Sequence, residues 1–414
     1  MLPFIHVPMA PLQTVTVQAR TEARDTHGTD PNDLELEVAP LVRYDAIWDH
    51  AQGHFVALYN PHLTYASADS DSAQTIDGKS SFLQLHSVNT GLELERQRYH
   101  ITSYGNLAYG PVSSTALLAA FTKPWLGEGL PPSPNVIIPA KFGSVGPDGH
   151  ISTTIFTLLF AQAQLAVPVY LTHRLTLTPL VTYSAFGGAD SASRLPLPMV
   201  RGPGGSLTLE AKATRQDVFK SKIGGGQAQA FFDGDRAGPG FYLAEVEERY
   251  THKYSERAQS EVAVGASVAS DQFTGTRLFP QAEANSVVGM HTRQLETKFA
   301  GVVRVGRWLD IFAGNPEQRA EVIGAVNVTF MSALTLRAQG AYARVLKDPS
   351  VEVPPQYSIV YGEAGAVYKL TRTWSADLSG RYSHQEFSNA QKDGVTDQLL
   401  VILGLTYAPH DWKL

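Results

Sequence analysis

The chain has 414 residues, no cysteine, 43% hydrophobic residues, and 39 acidic against 33 basic side chains for a formal charge of -6. No stretch approaches the ~20 consecutive apolar residues that a membrane helix needs, so a helical membrane protein is excluded. The charges form no basic runs, which argues against a nucleic-acid partner, since that needs a concentrated Lys/Arg face. A β-barrel wall passes the hydropathy test unseen, because lipid-facing and lumen-facing residues alternate and average out. Absence of cysteine suits a chain that crosses an oxidising compartment.

The start, Met1-Leu2-Pro3-Phe4-Ile5-His6, lacks the basic region and apolar core of a secretory signal. The expectation is that a leader was removed or that the chain starts downstream of one. Residues 1–33 read as an N-terminal segment with a first strand near 12–20 and a loop. From 34 to 48 the alternation is strict, with Leu34, Leu36, Val38, Val42, Tyr44 and Trp48 on one face and Glu35, Glu37, Arg43 and Asp45 on the other. Residues 53–66 repeat it, with Phe55, Tyr59, Leu63 and Tyr65 opposed to His54, Asn60 and His62.

Similar segments follow near 81–95, 98–110, 152–169, 174–187, 205–215, 217–232, 239–250, 258–270, 282–293, 296–309, 318–330, 332–345, 357–370, 373–386 and 396–408. The expected fold is all-β: a single transmembrane antiparallel up-and-down barrel over 34–408, of about 18 strands, with 409–414 as a C-terminal tail. Short links near 49–53, 96–98, 172–174, 214–217, 331–332 and 371–372 read as periplasmic turns. Longer Gly/Pro/Asp/Ser-rich links near 67–80, 111–150, 187–204, 270–281, 346–356 and 387–395 read as extracellular loops. Segment 111–150, with Trp125, Glu128 and Lys141, is the candidate constriction. A soluble sandwich or propeller is the competing reading, but its strands average ~5–6 residues, and many segments here alternate for longer.

Aromatic residues at the ends of apolar faces, Trp48, Tyr65, Trp374, Tyr382 and Tyr407, are candidates for the two interfacial girdles. By parity the lumen face collects Glu35, Glu37, Arg43, Asp45, Glu93, Glu95, Glu210, Lys212, Glu245, Glu247, Arg249, Arg304, Arg337, Gln339, Glu363, Lys369, Asp377 and Arg381. Such a mixed wall offers hydrogen bonds to hydroxyl-rich or hydrated solutes without strong selection by charge.

Catalytic signals are weak. Glu93/Glu95 and Glu245/Glu247 could hold carboxylates ~7 Å apart on one strand face, near an inverting glycosidase spacing, but such pairs arise freely on a polar lumen wall. Ser383-His384 is similar in outline to the Ser/His pairs of outer-membrane acyl hydrolases. The 13 histidines show no HExxH and no ligand-spaced cluster, so neither an enzyme, a metal nor a cofactor is expected. Gly202-Pro203-Gly204-Gly205 and Gly224-Gly225-Gly226 lack a phosphate-loop Lys and read as loop and bulge glycines.

At Leu85-His86-Ser87-Val88-Asn89-Thr90-Gly91-Leu92-Glu93-Leu94-Glu95, at Ser103-Tyr104-Gly105-Asn106-Leu107-Ala108-Tyr109-Gly110, and at Gly187-Gly188-Ala189-Asp190-Ser191-Ala192-Ser193-Arg194, the chain resembles myxobacterial outer-membrane barrel proteins. Some barrels of that kind look like the outer-membrane partners of periplasmic polysaccharide-export proteins. The resemblance implies a passive polysaccharide exit duct in a Gram-negative outer membrane, in contact with its lipids and served by a separate periplasmic export partner. Cellulose and poly-glucosamine exporters resemble it in strand number but carry helical repeats upstream. The alternative expectation is a general or solute-selective diffusion porin for small hydrophilic solutes; a structural or hydrolytic barrel is the third.

Overall fold

The computed structural model describes residues 12–28, 33–48, 53–67, 82–113, 155–194, 197–232, 237–271, 275–310, 315–346, 356–388, 393–409 and 412–413. They form a closed antiparallel barrel of 18 strands with short periplasmic turns. In chain order the strands are β1 (Leu12–Gly28), β2 (Asp33–Trp48), β3 (Gly53–Ser67), β4 (Phe82–Glu95), β5 (His100–Ser113) and β6 (Ile155–Ala166). Next come β7 (Leu175–Gly188), β8 (Met199–Lys212), β9 (Asp217–Phe231), β10 (Ala237–Ser255), β11 (Ala258–Asp271) and β12 (Gly275–His291). The last six are β13 (Leu295–Asp310), β14 (Asn315–Phe330), β15 (Leu334–Val345), β16 (Gln356–Lys369), β17 (Trp374–Ser388) and β18 (Asp393–Tyr407).

Each strand pairs with its neighbours in sequence, and β18 returns to β1 with Tyr407 opposite Ala19 and Gln398 opposite Gly28. Pairing of the first strand with the last closes the ring and removes the two terminal sheet edges, which is the condition for a β-structure to stand in lipid. The wall therefore includes β1, inside the segment 1–33 set apart by sequence. Trp412 and Lys413, in the segment read as a tail, pair with Val15 and Thr14 of that strand.

Outward side chains such as Val181, Ile223, Val246, Val264, Val322 and Leu403 are half or more exposed. On a water-soluble protein so continuous an apolar surface would be a liability; around a barrel it is the lipid contact.

Several expectations on boundaries are corrected. The link near 270–281 is short: β11 reaches Asp271 and β12 begins at Gly275, whose φ of 75° turns the chain back, a conformation that glycine adopts freely. The stretch 205–215 is part of a longer strand that starts at Met199, so Gly202-Pro203-Gly204-Gly205 is wall: all four pair with β7, and Gly204 and Gly205 pair with β9 as well. A Cβ at Gly202 would stand 1.7 Å from the Gln227 carbonyl oxygen, so this glycine marks a close approach of two strands within the wall. The Gly224-Gly225-Gly226 run is likewise paired strand, and the irregularity in β9 lies beyond it, between Gln229 and Phe231. The β2–β3 ladder is interrupted between Val38↔Leu63 and Val42↔Tyr59, where Pro40 and Pro61 bring no N–H.

Candidate functional site

The site is the inner wall. Directly opposed residues share a face, so the ladder itself sorts the charges. Arg249 stands opposite Ala263, which stands opposite Glu283, and that opposite Arg304 and then Glu321. Glu37, Glu22, Gly404 and Asp377 form a second such row. Arg381, Glu363 and Gln339 form a third.

The first cluster lies on β9–β14. Arg249 donates to Glu247 at 3.0 Å, to Glu261, and to Glu283 at 3.5 Å. Thr251 and Asn285 complete the shell of Glu261 at 2.9 and 3.0 Å. Arg304 pairs with Glu321 and lies 3.9 Å from Glu283, while Arg319 lies 3.4 Å from Glu321. Lys222 meets Glu245 at 2.5 Å and Arg307 lies 3.9 Å from the same carboxylate. Five carboxylates, Glu245, Glu247, Glu261, Glu283 and Glu321, thus face five cations, Lys222, Arg249, Arg304, Arg307 and Arg319, and six of these residues, Glu247, Glu283, Glu321, Arg304, Arg307 and Arg319, line a cavity of about 160 Å³. Arg319 and Glu321 are each only 3% exposed, and charges so buried persist only when paired.

The second cluster joins the last strands to the first. Arg20 bridges Glu22 at 2.5 Å and Asp377 at 3.2 Å. Arg381 donates twice to Glu363, at 2.6 and 3.1 Å, with Arg337 at 3.8 Å from it, and the Gln339 amide donates to the Tyr361 hydroxyl. On β2–β3, Arg43 and His54 share Asp45 at 2.6 and 2.9 Å, and His62 meets Glu37 at 2.5 Å.

Of the residues expected on the lumen face, Glu37, Arg43, Asp45, Glu245, Glu247, Arg249, Arg304, Arg337, Gln339, Glu363, Asp377 and Arg381 enter these clusters; Glu35 lies on the same face of β2, 1% exposed. Glu93 and Glu95 also face inward, opposite Thr102 and His100, but at the exposed periplasmic end of β4. Neither Glu pair is a free acid–base couple at Glu245/Glu247, since both carboxylates hold cations. Ser383 and His384 point to opposite faces: Ser383 opposes inward Tyr361, whereas His384 bonds outward Asp397 at 2.8 Å. Sequence reasoning passed over Arg20, Glu22, Lys222, Glu261, Glu283, Arg319 and Glu321, which the alternation could have flagged, and Arg307, which it could not, since that residue starts on the outward row.

Among the girdle candidates, Trp374 and Tyr407 pack outward with ring centroids 4.8 Å apart, and Tyr65 and Tyr382 are exposed on the outer face. Trp48 is half-buried at the periplasmic end of β2. Trp125, Glu128 and Lys141 lie outside the described residues.

A second feature of the inner wall is apolar. Between β7 and β8 the chain makes one helical turn, Ser191–Arg194, and doubles back, so that Leu197 packs on Val112, Phe156 and Leu158 with no exposed surface. Asp190 accepts from the Ser193 N–H at 2.7 Å, and Ser193 Oγ accepts from the Thr157 N–H at 2.8 Å, which fastens the link to β6. Gly187 permits the return: its φ is 144°, and a Cβ there would stand 2.2 Å from the Pro198 oxygen.

A closed 18-stranded wall, apolar outside and charged within, with short turns at one end, defines a porin-like β-barrel of a Gram-negative outer membrane. No family model matches the chain, and no curated protein matches it. Solved structures do resemble it: Acinetobacter baumannii OccAB2 at 7% identity, covering 96% of this chain and 98% of that one with a TM-score of 0.50. Pseudomonas aeruginosa OpdK, solved with vanillate, shares 10% identity over 97% and 99% of the two chains with a TM-score of 0.48. Pseudomonas aeruginosa OccK5 (OpdH) shares 9% over 96% and 98% with a TM-score of 0.45. At these identities the likeness to OccAB2 speaks for the fold alone.

Proposed function

We propose that the barrel is a solute-selective diffusion channel for small hydrophilic molecules, discriminating by hydrogen bonding and size more than by charge. The observation that carries this reading is the pairing of the inner wall: carboxylates and cationic groups neutralise one another in fixed networks, with five of each sign in the β9–β14 cluster. Such a wall presents oriented donors and acceptors to a hydroxyl-rich solute while leaving little net field to attract or repel an ion. The apolar shelf around Leu197 is buried and fixes the β7–β8 link against the inner wall.

This reading is preferred over the polysaccharide exit duct, whose myxobacterial likeness and periplasmic partner rest on sequence resemblance. Single-channel recording in planar bilayers separates the two, with and without residues 114–150, since Pro111, Val112 and Ser113 of the expected loop belong to β5 and pair with β6. Steady conductance with a reversal potential near zero in a salt gradient is the expected result. A pore that stays shut until 114–150 is removed belongs to a gated duct awaiting a partner.

A further inference from the structure

Among the described residues the ladder between neighbouring hairpins stops short at two places: β4–β5 ends at His86↔Tyr109, where Gly110 still lies against the Gln84 backbone, and β12–β13 leaves the longer unpaired stretch. β11 and β12 are paired from Asp271↔Gly275 downward, and β13 and β14 are paired up to Asp310↔Asn315. The β12–β13 ladder between these hairpins, however, runs only from His291↔Glu296 to Ala282↔Val305. Gly275–Gln281 of β12 and Gly306–Asp310 of β13 therefore make no ladder pairs with each other among the described residues. Pro280 contributes to this, since a residue without an N–H cannot extend a ladder and belongs at an edge or a break.

Side chains close the seam instead. By register Arg307 opposes Gln318 and continues the outward row of Val303 and Val305. Its guanidinium nevertheless lies 3.9 Å from Glu245 on the inner wall, with the side chain 18% exposed. Gln318 reaches across β13 and donates its amide to the Pro280 carbonyl at 2.8 Å. The buried Nε–H of Arg307 has no acceptor among the described residues. Behind it is the cavity of about 160 Å³, lined by Glu247, Glu283 and Arg304 and by apolar Val264, Ala282 and Val305.

We propose that this seam is a lateral port between the lumen and the outer leaflet, latched by Arg307 and Gln318, for an amphipathic solute with a hydrogen-bond-accepting head and a short apolar tail. The port goes beyond axial diffusion, because its solute arrives through the wall. The head takes the place of Glu245 at the guanidinium and supplies the acceptor that Nε lacks; the tail lies against Val264, Ala282 and Val305. A long ion pair and one amide hydrogen bond are a weak closure for two facing strand edges, which is what a latch requires.

The chain has no cysteine, so the seam can be stapled cleanly. Gln281 Cγ stands 3.7 Å from the position of a Cβ at residue 306, within reach of a disulfide in the double variant Q281C/G306C. The protein in liposomes is photolabelled with decyl glucoside bearing a tail diazirine, and labelled residues are mapped by mass spectrometry. Wild type should be labelled on the inner-wall faces of β10 and β12 as well as outside. The oxidised staple should lose the inner labels and regain them on reduction, and Arg307→Ala should increase them. Inner labelling that persists in the oxidised staple, or is missing from wild type, overturns the port. Should the staple fail to fold, Arg307→Ala decides: unchanged inner labelling is fatal, increased labelling supports. The readout does not depend on ion conductance, so it stands apart from the diffusion reading.

Discussion

Arg249 is the cation on which the β9–β14 network converges, and its removal is the sharpest test of the paired-wall argument. Arg249→Ala strips Glu247, Glu261 and Glu283 of their shared partner. Breaking a fully buried pair costs ~3–5 kcal/mol, and breaking an exposed one ~0–1 kcal/mol. With the guanidinium 24% exposed and the three carboxylates 15–24% exposed, the loss falls between, at about 2 kcal/mol. The variant should therefore unfold at lower urea in detergent micelles, followed by tryptophan fluorescence and heat-modifiable mobility. Its lumen also gains uncompensated negative charge, so the reversal potential should move toward cation selectivity. Arg249→Lys keeps the charge but not the planar fork and should lie between the two. Arg249→Ala that unfolds at the wild-type urea concentration, with unchanged reversal potential, would show that the network braces nothing and neutralises nothing.

Leu197→Ala opens a cavity against Phe156 and Leu158 and should cost ~2–5 kcal/mol, with a rise in conductance as the shelf loosens; an unaltered urea midpoint would argue against it. Gly187→Val places a side chain where the Pro198 oxygen already stands, at a φ of 144°, so folded yield should fall sharply, as read by the heat-modifiable band. Deleting residues 396–414 removes most of β18 and exposes the edges of β17 and β1, so the truncated chain should not close; a membrane-inserted, heat-modifiable product would contradict this.

Strand identity was legible wherever alternation was uninterrupted, as in Glu35–Asp45 or Trp374–Tyr382, because a period of two survives in sequence however the barrel tilts. The boundaries that failed did so where residue type and environment disagree. Gly202-Pro203-Gly204-Gly205 carries turn chemistry, yet it is needed in the wall because the backbone of β9 comes too close for a Cβ. Thr276–Gln281 looked like loop because one of its faces is polar, though Leu278 and Pro280 keep the outward alternation. Of the site, parity yields the face of each charge but not its partner: Arg249 and Glu261 are neighbours only through the β10–β11 register. Arg307 defeats parity altogether, since it starts on the outer row and ends at an inner carboxylate. Leu197 gave no signal, because its burial depends on a chain reversal written in Gly187 and Asp190 rather than in any periodic pattern.

The closure of β18 on β1 has a bearing on how the ring can be made. Every other joint in the wall links strands adjacent in sequence and can form as a local hairpin; this one must bring together the two ends of the chain, with Trp412 and Lys413 adding a clasp beside Thr14 and Val15. It is the one joint of high contact order, and the step whose loop-closure entropy spans the whole polypeptide. Once formed, it leaves β18 beside β1, so the ring has no topological beginning: a chain fused end to end and cut at the periplasmic turn between β8 and β9 or between β16 and β17 describes the same wall. The order of synthesis, and not the architecture, decides which joint is last.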